Sequence, residues 1–263
     1  MVDPTTTVIE RREYKYLIDR ATAEAVRAKI RPFCVLDPHA ERTPGRRYTI
    51  DTLYLDTTDL SLFWANDHEQ HDRFKLRVRG YAEAPKAPVF FEVKRRVGDV
   101  IAKSRGQVPR GEWIRLLGDP SRSIPEGVRA DQRGAVERFL ALSRALHVRP
   151  FTLVRYEREP YVSVVDDYAR VTFDSNIRAH DTDALDLVAP DRGWRALDDA
   201  VSQRGWGSLI VLELKFTQQV PLWMVGLTRS LGLTRGGFSK YGTSIRAFYE
   251  PQPRRIARAG GWR

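Results

Sequence analysis

Charged residues occupy alternate positions in four short segments: Arg11, Glu13 and Lys15; Arg73, Lys75, Arg77 and Arg79; Glu92, Lys94 and Arg96; and Glu213 with Lys215. Arginine presents phosphate with a rigid fork of donors and lysine with a compact charge, so a row of both can follow a repeating anion without reading any base. The glutamates offer hard oxygen donors of the kind that Mg²⁺ or Mn²⁺ accepts while bridging to phosphate oxygens. Together these residue types describe phosphoryl transfer, a reaction that needs positioning and charge neutralisation more than a protein nucleophile.

Strands must position them. A β-strand sends alternate side chains to opposite faces, and the residues between the charges are Phe74, Leu76 and Val78; Phe91 and Val93; and Leu212, Leu214 and Phe216. Each segment therefore has one charged and one apolar face. An antiparallel sheet of about eight strands can close into a barrel whose interior alternates with its exterior. With the apolar faces turned outward against helices, the charges point into a wet cavity. Unpartnered cations held there would each cost several kcal/mol as an order of magnitude. Glu13, Glu92 and Glu213 offset only some of them, so an anionic ligand completes the site. The expected fold is α+β: a closed eight-stranded antiparallel β-barrel tunnel with helices packed outside.

The rest of the chain fits a single domain over residues 1–250 followed by a basic tail, 251–263. Strands are expected at 8–18, through TIDTLYLDT, at 72–81 and 88–96, in VIAKSRGQV, at 151–165 and 169–174, and in SLIVLELKF. Asp19 can cap a helix over 20–31 with Val26 and Ile30 on one face, and further helices are expected near 59–66, 111–147, 193–203 and 219–231. FSKYGTSI opens either a strand or a helix. The 263 residues are 42% hydrophobic, enough for a core, and 44 Lys plus Arg against 34 Asp plus Glu favour acidic partners. The single cysteine, Cys34, excludes an intrachain disulfide and reads as a core residue in a reducing compartment. With no signal pattern at MVDPTTTVIE and no membrane-length apolar run, the chain is expected to be soluble and cytoplasmic.

The segments EYKY, KLRVR, FEVKRR, YEREPY, RVTFD, LELKF and FSKYG occur in that order, and the set resembles the VTC domain, the polyphosphate polymerase branch of the triphosphate tunnel metalloenzymes. The resemblance implies an eight-stranded tunnel that binds ATP, triphosphate or polyphosphate and passes the γ-phosphate of ATP to a growing polyphosphate chain with Mn²⁺ or Mg²⁺ as cofactor. Carried over residue by residue, it implies phosphate ligands at Lys15, Lys75, Arg77, Lys94, Lys103, Arg158, Arg170 and Lys240, with Glu213 in LELK as the metal-binding glutamate. Arg79 and Arg105 share parity with these residues, and Glu13 is a second metal candidate. Hydrolytic relatives begin with E-x-E-x-K, whereas here Arg11 replaces the first glutamate, which favours the polymerase branch over a tripolyphosphatase.

Blander readings compete at each position. Arg11, Glu13 and Lys15 alone would be a solvated strand edge, and Glu213 a structural partner of Lys215 or a nearby arginine. KLRVR beside Phe74 and Tyr81 would suit single-stranded nucleic acid, but these aromatics are expected on the apolar face, which argues against that partner. A non-catalytic polyphosphate-binding module remains the alternative from another class. His68 and His71 lack companions at metal spacing and read as exposed, and SKYG lacks the glycine and lysine spacing of a Walker A loop.

Overall fold

The computed structural model describes residues 12–249 apart from 99, 204, 206 and 218, so Arg11, the start of the first expected strand and the basic tail lie outside the described residues. The chain runs β1 (Arg12–Ile18), α1 (Arg20–Ile30), β2 (Cys34–Leu36), α2 (Pro38–Glu41), β3 (Tyr48–Asp56), α3 (Ser61–Asp67), β4 (Asp72–Tyr81), β5 (Val89–Val97) and β6 (Val100–Val108). It continues α4 (Trp113–Gly118), α5 (Ala130–Ala145), β7 (Arg149–Ser163), β8 (Ala169–Asp181), β9 (Arg195–Ala196), β10 (Ile210–Phe216), α6 (Leu222–Ser230) and α7 (Lys240–Tyr249). The fold is α+β around one ten-stranded sheet, ordered β1-β10-β8-β7-β3-β4-β5-β6, with β2 attached to β7 and β9 to β8.

Every strand pair in this sheet is antiparallel. The expected closure does not occur: β1 and β6 are the two ends of the ladder and do not pair. Their inner faces carry Glu13 and Lys15 on one side and Lys103 and Arg105 on the other, all bordering one cavity. The sheet instead curls around the cavity, and Lys94 on β5 reaches Glu13 on β1 across it at 3.5 Å.

The apolar faces pack outward in two layers. Leu76, Val78, Phe91 and Val93 meet Val136, Phe139 and Leu140 of α5 and Trp113 of α4. Leu212, Leu214 and Phe216 meet Val26 and Ile30 of α1 and Met224 and Leu227 of α6. Burying a Leu, Val or Phe side chain contributes roughly 1.5–3 kcal/mol, and these rows supply the force that turns the charged rows the other way. Asp19 caps α1 as expected, its carboxylate accepting from the Thr22 N–H at 2.7 Å. Gly106 lets α5 close on β6, because a Cβ there would lie 2.5 Å from Val136 Cγ2 and 3.1 Å from the Gln132 carbonyl oxygen.

Three local expectations differ from the structure. Strand β8 runs on to Asp181, past a register shift opposite Arg155 to Glu157 and a left-handed Asn176 (φ 52°) that breaks the alternation. No helix forms over 193–203 among the described residues; Arg195–Ala196 pair with β8 instead, the Leu197 N–H donates to the Ile177 carbonyl, and Asp198 accepts the Ile177 N–H. Finally, not every helix packs outside: the first residues of α7, Lys240 and Tyr241, line the cavity, and Ile245 packs with Tyr54, Val154 and Tyr156 from its wall.

Candidate active site

Two carboxylate centres organise the cavity. The first is Glu213 on β10, 4% exposed. Antiparallel pairing sets Lys15 opposite Glu213 and Glu13 opposite Lys215, which brings opposite charges on adjacent strands into reach. Glu213 accepts from Lys215 at 2.5 Å, Arg158 at 3.1 Å and the Thr172 hydroxyl at 3.2 Å, and Lys15 and Lys240 stand at 3.5 and 3.8 Å. Behind it, Arg158 donates a two-pronged fork to Asp174, 2.7 Å for each bond, and Lys240 donates to the same carboxylate at 2.5 Å. Burial works against ionisation, but Lys215, Lys240, Lys15 and Arg158 hold the Glu213 carboxyl well below the usual range.

The second centre is Glu92 on β5, wholly buried between β4 and β6. The register places Arg77 and Arg105 opposite it on the two neighbouring strands. Arg77 lies at 2.7 Å, Lys103 at 2.8 Å, Arg105 at 3.4 Å and Arg79 at 3.5 Å, so one anion is shared by four cations. Burial raises the Glu92 pKa, but Arg79, Arg77 and Lys103 outweigh it and leave the group ionised.

Four lining cations, Arg12, Lys75, Arg138 and Arg170, have no carboxylate partner among the described residues. Lys75 donates only to the Ser239 hydroxyl at 2.9 Å, and Arg170 lies beside the Tyr168 ring, 5.7 Å from its centre. Burial, together with Lys15, Lys94, Arg77 and Arg73, pushes the Lys75 pKa down to about 7. The cavity has a volume of about 1240 Å³ and is bordered by fourteen lysines and arginines against four aspartates and glutamates, so its vacant space is strongly electropositive. A polyanion is the ligand such a field selects.

All twelve residues expected at the site border this cavity: Lys15, Lys75, Arg77, Arg79, Lys94, Lys103, Arg105, Arg158, Arg170 and Lys240, with Glu13 and Glu213. Of the other alternating charges, Glu92 lies behind the lining, while Arg96 donates to the Gly98 carbonyl and Arg73 to the Gln70 carbonyl. The expectation that the aromatics keep to the apolar face holds for Phe74, which packs against the outward core of Leu76, Val78 and Phe91, and fails for Tyr81, which borders the cavity. Tyr81 shares parity with Arg79 and Arg77. Lys215 faces the cavity as its alternation with Glu213 predicts, whereas Asp174, Thr172 and Ser239 are additions; Asp174 and Thr172 share parity with Arg170 in RVTFD, and that alternation is the signal for them. Cys34 is buried, its thiol pushed up to about 12 by burial and by Asp166, and His68 and His71 are exposed.

Among the described residues no three or more His, Cys, Asp or Glu side chains gather around a metal position. Glu13 and Glu213 nonetheless face a common point, for Lys15 lies 3.2 Å from one and 3.5 Å from the other. Mg²⁺ is usually bound through one or two carboxylates plus substrate phosphates, so this donor set fits an ion that arrives with its phosphates and not a cage built from protein alone.

No curated protein matches the chain. Among solved structures, a protein from Bacillus halodurans assigned as an adenylate cyclase is similar at 12% identity and a TM-score of 0.51, covering 90% of this chain and 96% of that one. A protein from Hippeastrum, assigned as an adenylyl cyclase and found to have a dominant triphosphatase activity, is similar at 15% identity and a TM-score of 0.52, with coverage of 90% and 96%. These likenesses establish a shared fold. The profile of the VTC domain matches residues 10–249, nearly the whole described chain and every strand that lines the cavity, and the chain belongs to that family.

Proposed function

We propose that the chain is a metal-dependent polyphosphate polymerase that transfers the γ-phosphate of ATP to a growing polyphosphate chain. The observation that carries this reading is the excess of cations around a 1240 Å³ cavity, with Lys75 and Arg170 left without carboxylates. In the reaction, a terminal oxygen of the acceptor chain attacks the γ-phosphorus, the bond to the bridging oxygen breaks, and ADP leaves. Lys15, Lys75, Arg77, Lys94, Lys103, Arg158, Arg170 and Lys240 would bind phosphates in series and neutralise charge on the oxygens of the transferred group, with Arg79 and Arg105 extending the row. Glu213, assisted by Glu13, would hold Mn²⁺ or Mg²⁺, which when bound supplies Lewis-acid polarisation of phosphate oxygens. Arg158 and Lys240, fixed by Asp174, are held ready without reorganisation.

Purified protein incubated with ATP and Mn²⁺ is expected to yield ADP and long polyphosphate. Failure to form either by folded protein would contradict the proposal. A second reading, a tripolyphosphatase or nucleoside triphosphatase on the same scaffold, draws on the same cavity, whose cations suit a short triphosphate as well as a growing chain. Release of orthophosphate without chain growth would favour it.

A further inference from the structure

The inner face of β4 changes character along its length. It reads Lys75, Arg77, Arg79 and then Tyr81, and the neighbouring antiparallel β3 begins at Tyr48 on the same side. The two rings meet edge to face, 5.5 Å between centres and 72° between planes. His39 edges both, at 5.2 and 6.0 Å, and Phe90 meets Tyr81 at 5.9 Å and 88°. Phe90 in turn carries the Arg105 guanidinium 3.6 Å above its ring centre. An aromatic corner therefore closes one end of the basic row.

Its surroundings do not fit a plain structural plug. Tyr48 and Tyr81 are only half-buried and border the open cavity, and neither hydroxyl has a hydrogen-bond partner among the described residues. Edge-to-face packing leaves ring faces uncovered, and an arginine stacked on phenylalanine presents a second flat cation–π surface. Phosphate-binding groups stand next to it: Arg158 is the cross-strand partner of Tyr48, and Arg79 precedes Tyr81 by two residues, about 7 Å along the strand. Flat apolar faces one step from a row of phosphate donors match a molecule that joins a planar ring to a phosphate chain.

We infer that Tyr48, Tyr81 and the Arg105–Phe90 pair form a stacking site for the base of a nucleoside triphosphate whose phosphates enter the basic cavity. This rests on the phosphate-binding reading above. The corner holds few fixed hydrogen-bond donors, and stacking tolerates any base, so ATP and GTP are expected to bind with similar affinity.

The test compares a nonhydrolysable ATP analogue with tripolyphosphate by calorimetric titration in Mg²⁺, using wild type, Tyr81→Leu, Phe90→Leu and Tyr81→Phe. Loss of one stacking partner is expected to raise the dissociation constant of the analogue about tenfold in each leucine variant, with less than a twofold change for tripolyphosphate. Tyr81→Phe, which keeps the ring, is expected to bind both ligands as wild type does and serves with circular dichroism as the folding control. Equal weakening of both ligands, or no change in either, would overturn the stacking site while leaving the phosphate cavity intact. If wild type binds neither ligand, the phosphate-binding reading falls and the stacking site falls with it.

Discussion

Replacing Glu92 by Gln keeps the shape of the side chain and removes the charge that four cations share. Two of these, Arg77 and Arg79, have side chains only 17% and 8% exposed and no other carboxylate within reach among the described residues. Lys103 and Arg105 are 39% and 38% exposed, so water screens them and their share of the loss is small. Breaking a buried pair by removing one partner costs about 3–5 kcal/mol, and the partial exposure of two of the four points to the lower end, about 3 kcal/mol. For a chain of this length the melting temperature should fall by about 10 °C. The folded-state pKa of Glu92 is depressed, so its contribution is fully present above the ordinary carboxylate range and is lost only as pH falls through the folded value. Lys103, whose pKa burial lowers to about 7 against the pull of Glu92, titrates in this range, so in chemical denaturation the gap between variant and wild type should narrow as pH rises from 6 to 8 and the Lys103–Glu92 attraction is lost. Saturating tripolyphosphate should narrow the gap as well, because the variant, with one negative charge fewer among the same cations, binds the anion more tightly than wild type does, whereas the stabilisation common to both proteins cancels in the difference. A loss under about 1 kcal/mol, or no narrowing with tripolyphosphate, would refute the claim that Glu92 is the anion that holds these four cations together.

Further outcomes follow from the same geometry. Glu213→Ala is expected to abolish turnover with ATP and Mn²⁺ while polyphosphate binding by filter retention stays largely intact, whereas Lys75→Ala and Arg158→Ala should weaken both. With its pKa near 7, Lys75 is largely neutral at pH 8 in the free protein and gains a proton when phosphates arrive. Calorimetric titration of tripolyphosphate at pH 8 in buffers of different ionisation enthalpy should thus show net proton uptake, reduced in Lys75→Met. The sign for stability is the reverse of the carboxylate case: because the folded pKa of Lys75 is lowered, its penalty is full below pH 7 and is relieved as pH rises above that value. Gly106→Ala should cost roughly 1–3 kcal/mol by urea denaturation, because its methyl group meets the Gln132 carbonyl and Val136 with α5 unable to move off β6.

The alternation in KLRVR and LELKF was enough to anticipate both the two-faced strands and the cavity they line, because an outward apolar row forces its charged counterpart inward whatever the strand order. Closure was not legible. Whether β1 meets β6 depends on strands far apart in the sequence, and alternation within one segment says nothing about its partners. Tyr81 follows parity and not residue type, for it stands two residues from Arg79 and so shares its face. Asp174 escaped notice because strand β8 was expected to end there, and only Asn176 with its left-handed backbone and the shifted register shows how the strand continues. The turn at 193–203 looked helical since its edge pairing to Ile177 is set by tertiary contacts that no local pattern reports.

A crystal of the protein soaked with a nonhydrolysable ATP analogue and Mn²⁺ reaches the central claim most directly. The account predicts phosphates inside the curled sheet, in contact with Lys75, Arg158 and Lys240 and with a metal on Glu213. Phosphates bound only to the outer surface, with Lys75, Arg158 and Lys240 free of phosphate contacts, would contradict it.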